Sequence, residues 1–191
     1  MKKIFLILVL FFGSINILNA ETNRIVAGNK NAKITIIAYE SLTCSHCADF
    51  HKDVYPQLKK DYIDTGLAKI EFRHFPLDIA ALNASKISQC KQDQSLEILE
   101  SLYLNQDSWI KGNTIEEVNY NLKKFIKNEG FNIDFEKCMN NKEIEDYVLN
   151  DRIEGAKNFE VNATPTIIIN NKKFEKSLNY KNLKKSLEKL I

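Results

Sequence analysis

The chain has 191 residues, 44% of them hydrophobic, with 27 Lys and Arg against 25 Asp and Glu. That length suits one sizeable domain, or one domain carrying an insertion. Lys2 and Lys3 sit in a distinct leader, so residues 21–191 are formally neutral, which argues against nucleic acid or an anionic membrane as partner.

Residues 1–20 read as a secretory signal peptide. Two lysines precede an apolar run over 4–12, and a small residue, Ala20, stands before the expected cut. The run is short for a membrane span, although an uncleaved N-terminal anchor is the alternative. No later apolar run reaches spanning length. The expectation is a soluble chain in an exported, disulfide-permissive compartment.

Residues 24–27 suit a short edge strand, followed by a turn at Gly28-Asn29. The β-branched run 34–38 predicts a buried strand. After a turn comes Cys44-Ser45-His46-Cys47. Beyond it Cys47, Phe50, Val54 and Leu58 recur at helical spacing, which predicts a helix of about sixteen residues. Pro56 should kink that helix, and Gly66 should cap it. Residues 68–75 form a second strand, with Ile70, Phe72 and His74 on one side, and Pro76 stops it.

From 78 to 140 the pattern is helical, in three or four segments. Ala80, Ala84 and Ile87 form one stripe; Leu96, Leu99 and Tyr103 form another. Thr114-Ile115-Glu116-Glu117 is a capping box opening a helix with Val118, Leu122, Phe125 and Ile126 on one face, closed by Gly130. A helix over 142–159 follows. Thr164-Pro165 then leads into the strand Ile167-Ile168-Ile169, and Asn170-Asn171 suits a hairpin turn. Lys172-Lys173-Phe174 would be a short polar edge strand. Leu183, Leu187 and Leu190 mark a closing helix.

The chemistry concentrates at residues 44–47, where a strand feeds a helix. Unpaired N–H groups and the helix dipole stabilise an anion there, so a thiolate gains nucleophilicity near neutral pH. Four cysteines allow three pairings. If Cys44 and Cys47 are a redox pair, Cys90 and Cys138 most simply form a structural disulfide. That closure contributes about 4 kcal/mol on the chain-entropy model. Two separate buried thiols are the alternative. A metal centre is not expected, because the second C-x-x-C is missing and His46 points away from a ligand set. No cofactor is expected. His51 reads as a solvated helix residue, His74 as a strand-end residue and Trp109 as core. On the residues alone, Pro165 could be a trans proline opening an edge strand.

In this order the motifs resemble the thioredoxin superfamily, and within it the exported DsbA-type thiol:disulfide oxidoreductases. Four features carry the likeness: the C-x-x-C with His46 inside it, the run Arg73-His74-Phe75-Pro76-Leu77, a helical block between two halves, and Thr164-Pro165 before a strand. The stretch Ser41 to His51 looks most like DsbA-like proteins of alphaproteobacteria. The resemblance implies an α/β thioredoxin-like fold over 21–77 and 141–191, with an inserted all-helical subdomain over 78–140. It implies Cys44 as nucleophile and Cys47 as resolving thiol, with His46 donating hydrogen bonds or charge toward Cys44. Pro165 would be a cis-proline facing the dithiol, and Thr164 would offer backbone groups to a bound peptide. Relatives of this kind often carry a second cysteine pair like Cys90 and Cys138.

The family commonly has Pro where Ser45 stands, and an acid where Ala38 stands. Here Glu40 lies two residues on, on the same strand face, where it either supplies the same charge from closer in or is exposed at a fraying strand end. Both departures bear on the redox potential. The implied function is a disulfide donor to exported proteins in the periplasm, re-oxidised by a DsbB-like membrane oxidase. A disulfide isomerase or reductase is the second reading. A non-catalytic exported metal- or peptide-binding module is the third.

Overall fold

A computed structural model describes residues 23–191. The leader expected over 1–20 lies outside the described residues. Strand β1 (Ile25–Gly28) and β2 (Ile34–Glu40) lead to a long helical path. The path comprises α1 (Ser45–Asp49), a π-helical turn (Phe50–Val54), α2 (Tyr55–Leu58) and a second π-helical turn (Lys59–Ile63). Strand β3 (Ala68–His74) follows. Then come α3 (Ile79–Gln89), α4 (Ser95–Leu104), α5 (Gln106–Trp109), α6 (Ile115–Asn128) and α7 (Phe135–Met139). Helix α8 (Lys142–Phe159), β4 (Thr166–Ile169), β5 (Lys172–Lys173) and α9 (Tyr180–Leu187) complete the order.

The five strands form one sheet in the order β1-β3-β2-β4-β5. Only β2 and β3 run parallel, joined by the crossover helix that begins at the dithiol. β1 and β4 flank them antiparallel, and β5 pairs with β4. Strand β2 runs two residues further than its apolar run predicts. Tyr39 pairs with Arg73 and Thr166, and Glu40 pairs with His74, so ladder hydrogen bonding carries the strand on.

Alternation along β2 divides two cores. Ile34, Ile36 and Ala38 enter the larger cluster with Phe50, Leu58, Ile70 and the helical block. Ile37 and Tyr39 enter a smaller one with Phe75, Val161 and Ile168, covered by α8. Gly155 of α8 lies flat on the Tyr39 ring, where an added Cβ would meet Cε1 at 2.7 Å and Cδ1 at 2.8 Å. One turn earlier, buried Asp151 accepts from the His74 backbone N–H at 3.1 Å and pairs with Arg24.

At Pro56, where a kink was expected, the regular helix is interrupted: a π-helical turn ends at Val54, and proline stands in the first turn of α2. A π turn inserts an extra residue into the helix and widens the inward face. His51 thereby joins Phe50 and Val54 in the core, against the expectation of a solvated residue.

The block between β3 and α8 holds five helices rather than three or four, because a break at Asn105 separates α5 from α4. Its Ile87, Leu102, Trp109 and Leu122 merge with the sheet's larger core. A disulfide joins Cys90 at the end of α3 to Cys138 in α7, with Cα atoms 5.6 Å apart. The closing helix ends at Leu187, and Leu190, expected on its apolar stripe, is 46% exposed beyond it. Among the described residues no helix is long and apolar enough to cross a membrane.

Candidate redox dithiol site

Cys44 is the N-cap of α1, with extended φ/ψ of −82° and 118°. Its backbone N–H bonds to Ser41 O at 3.0 Å, and its carbonyl accepts from Cys47 and Ala48. The turn is pinned from outside. Gln106, opening α5, donates its amide N–H to Leu42 O at 2.8 Å and to Cys44 O at 3.0 Å. The Thr43 hydroxyl donates to Asp78, the N-cap of α3. Two helices of the block therefore fix the loop that presents the sulfur.

The two thiols are free and unlike. Cys44 is partly exposed and Cys47 is fully buried. Cys44 is held down to about 5, chiefly by a hydrogen bond from the Cys47 thiol, against the opposing effect of its partial burial. Thr164 and the backbone N–H groups of Cys47 and His46 lower it further. Burial pushes the Cys47 thiol strongly up, reinforced by Cys44 and by the charge of Glu40. The arrangement gives one easily ionised sulfur and one that stays protonated.

His46, read as a donor toward Cys44, contributes through its backbone. Its side chain is 82% exposed and faces Asp49, with Nδ1 at 3.7 Å from the carboxylate. Ser45 is exposed in the first turn. The Thr164-Pro165 peptide is cis. It brings Thr164 O to 3.3 Å from Cys44 Sγ, which donates to it while protonated. Cys90 and Cys138 are apart from this site, in the disulfide described above. Among the described residues no cluster of three potential metal ligands occurs.

Beneath the dithiol lies a pair that sequence reasoning separated. Glu40, at the end of β2, accepts or shares a proton with His51 Nε2 across 2.9 Å. Their side chains are 2% and 1% exposed. The His51 ring stacks on Tyr103 of α4 with centroids 4.2 Å apart. Burial raises the Glu40 carboxyl despite the neighbouring histidine. The usable signal was Glu40 itself: an acid ending a buried strand needs a partner, and His51 lies on the adjoining helix.

A profile for the family described as Thioredoxin matches residues 20–189. The putative protein-disulfide oxidoreductase of Rickettsia conorii is 29% identical over 154 residues, which cover 78% of this chain and 54% of that protein. The chain thus spans about half the length of that relative. Disulfide bond formation protein D of Bacillus subtilis is 25% identical over 174 residues, covering 86% and 75%. The crystal structure of alpha-DsbA1 from Wolbachia pipientis superposes with a TM-score of 0.79 at 31% identity, covering 88% of this chain and 90% of that one. On these matches the chain belongs to the thioredoxin family, among its DsbA-like members.

Proposed function

We propose that the chain is a thiol:disulfide oxidoreductase that donates a Cys44–Cys47 disulfide to reduced exported proteins. The observation that carries this reading is the contrast between the sulfurs, Cys44 held at about 5 and Cys47 buried with its pKa pushed up. A substrate thiolate attacks Cys44 Sγ, the sulfur that reaches solvent. The Cys44–Cys47 bond breaks, a mixed disulfide forms, and Cys47 leaves and takes up a proton in its dry site. Glu40, whose carboxyl is raised by burial, is a proton source on that side. A second substrate thiolate then attacks the substrate sulfur and expels Cys44 as a stable thiolate. Two electrons pass from substrate to protein, and the substrate keeps the disulfide.

A thiol whose folded pKa is lowered stabilises the folded, reduced chain at pH above its ordinary value, near 8.5. That contribution falls away as pH drops toward 5. From about pH 5 upward the reduced form is increasingly favoured, so the disulfide is a good oxidant. Thr164, at the cis peptide, offers its backbone to the substrate chain. The likeness to DsbA-type proteins supports a periplasmic location and re-oxidation by a DsbB-like membrane oxidase.

The test is the equilibrium potential of the Cys44–Cys47 pair in glutathione buffers. A value well above that of thioredoxin, about −270 mV, is expected. A value at or below it would replace the donor with a reductase.

A further inference from the structure

Beside Cys44 a groove of about 510 Å³ runs along the helix that the dithiol caps. Phe50, Val54, Pro165 and Leu178 supply its apolar surface. Its fixed charges have one sign. Asp49 and Asp53, one helical turn apart, both line it, and no lysine or arginine does. Among the described residues no lysine or arginine pairs with Asp49 or Asp53; Asp49 has only the His46 ring, with Nδ1 at 3.7 Å. His46 and Thr164 also line the groove, and Thr164 O lies 3.3 Å from Cys44 Sγ.

From this geometry we infer that the groove selects substrate segments carrying a lysine or arginine close to the cysteine being oxidised. The inference rests on the oxidoreductase reading above and names the substrate class of that site. The helix rise indicates where the basic residue falls. From Cys44 to Asp49, the α-helical stretch, the rise is about 7.5 Å at about 1.5 Å per residue. An extended chain covers that in about two to three residues, at about 3.3 Å each. A peptide whose cysteine sits on Cys44 therefore brings its third neighbour to the carboxylates that begin at Asp49, with its aliphatic stem over Phe50 and Val54. An acidic neighbour at the same place meets two like charges and a dry wall. The selection acts on encounter and on the lifetime of the mixed disulfide, and it weakens with salt.

The experiment uses the oxidised full chain and three dithiol peptides that are identical except at the third residue on each side of one cysteine, Lys, Gln or Glu. The Gln peptide reports the exchange chemistry. The Lys-to-Glu ratio of rates reports the groove. A ratio of about tenfold at low ionic strength is expected, shrinking toward one in about 0.5 M salt and in an Asp49→Asn, Asp53→Asn double variant. Equal rates for Lys and Glu peptides with brisk oxidation of the Gln peptide would overturn the inference and leave the oxidoreductase reading standing. A preference that survives the double substitution would overturn it too. No oxidation of any peptide would overturn the reading beneath it.

Discussion

The molecule carries its two cysteine pairs in opposite circumstances. Cys44 and Cys47 are close in sequence, at the start of a helix, with donors aimed at one sulfur and apolar burial around the other. Cys90 and Cys138 lie 48 positions apart and tie two helices of the block, away from any helix N-terminus that would activate them. A short loop adds little to stability and leaves the bond free to be exchanged. A long loop restricts the unfolded chain strongly. On the proposed reading, electrostatic setting and loop length, more than the sulfurs, decide which pair reacts and which one holds.

That contrast breaks most cleanly at Cys44. Cys44→Ser should abolish oxidation of a dithiol peptide altogether, measured by loss of free thiol, while thermal unfolding changes little. Replacing both Cys90 and Cys138 with Ala should do the reverse. Exchange persists, and denaturant titration should show a loss of about 4 kcal/mol on the chain-entropy model. Similar losses of activity in the two variants would erase the distinction.

The floor under the reactive pair gives the next effect. His51→Leu leaves Glu40 buried without its partner and should cost about 3 kcal/mol. The raised Glu40 carboxyl fixes the sign with pH. A group whose folded pKa is raised stabilises below its ordinary value and loses that as pH rises through the folded value. The cost of His51→Leu should therefore grow with pH, and adding Glu40→Gln should recover part of it. A cost independent of pH would show that the histidine serves packing alone.

Smaller effects sharpen the picture of the upper sulfur. Cys47→Ala removes the largest influence that holds Cys44 at about 5, so thiolate absorbance against pH should give a higher midpoint. A midpoint still near 5 would assign the activation to the backbone N–H groups instead. Gln106→Leu leaves Leu42 O and Cys44 O without their amide donor and should cost about 1 kcal/mol, with slower exchange because the turn loosens.

Much of this was legible locally. The run 34–38, the C-x-x-C and the stripe Cys47, Phe50, Val54, Leu58 lie within one strand and one helix, so periodicity was enough. The capping box at Thr114 was equally local, and its hydroxyl does accept from Glu117 N–H. What escaped depends on relations between elements. The burial of His51 needs a π-helical turn that no apolar period announces, and its partner arrives from β2. The place of β1 next to β3 rather than β2 is a choice of sheet order, invisible in a short run. The outward turn of the His46 side chain follows from its place on the solvent side of the first helical turn.

Gly155 makes the far side of the sheet a silent governor of the near side. Its hydrogen sets how near α8 can come to Tyr39, and any side chain there would lift the helix off the ring. Asp151 rides on the same helix and steadies the backbone of His74, and the next residue, Phe75, donates to the carbonyl of Glu40 at 2.7 Å. One methyl group on the back surface would thus travel, through two backbone anchor points, to the acid lying under the sulfurs.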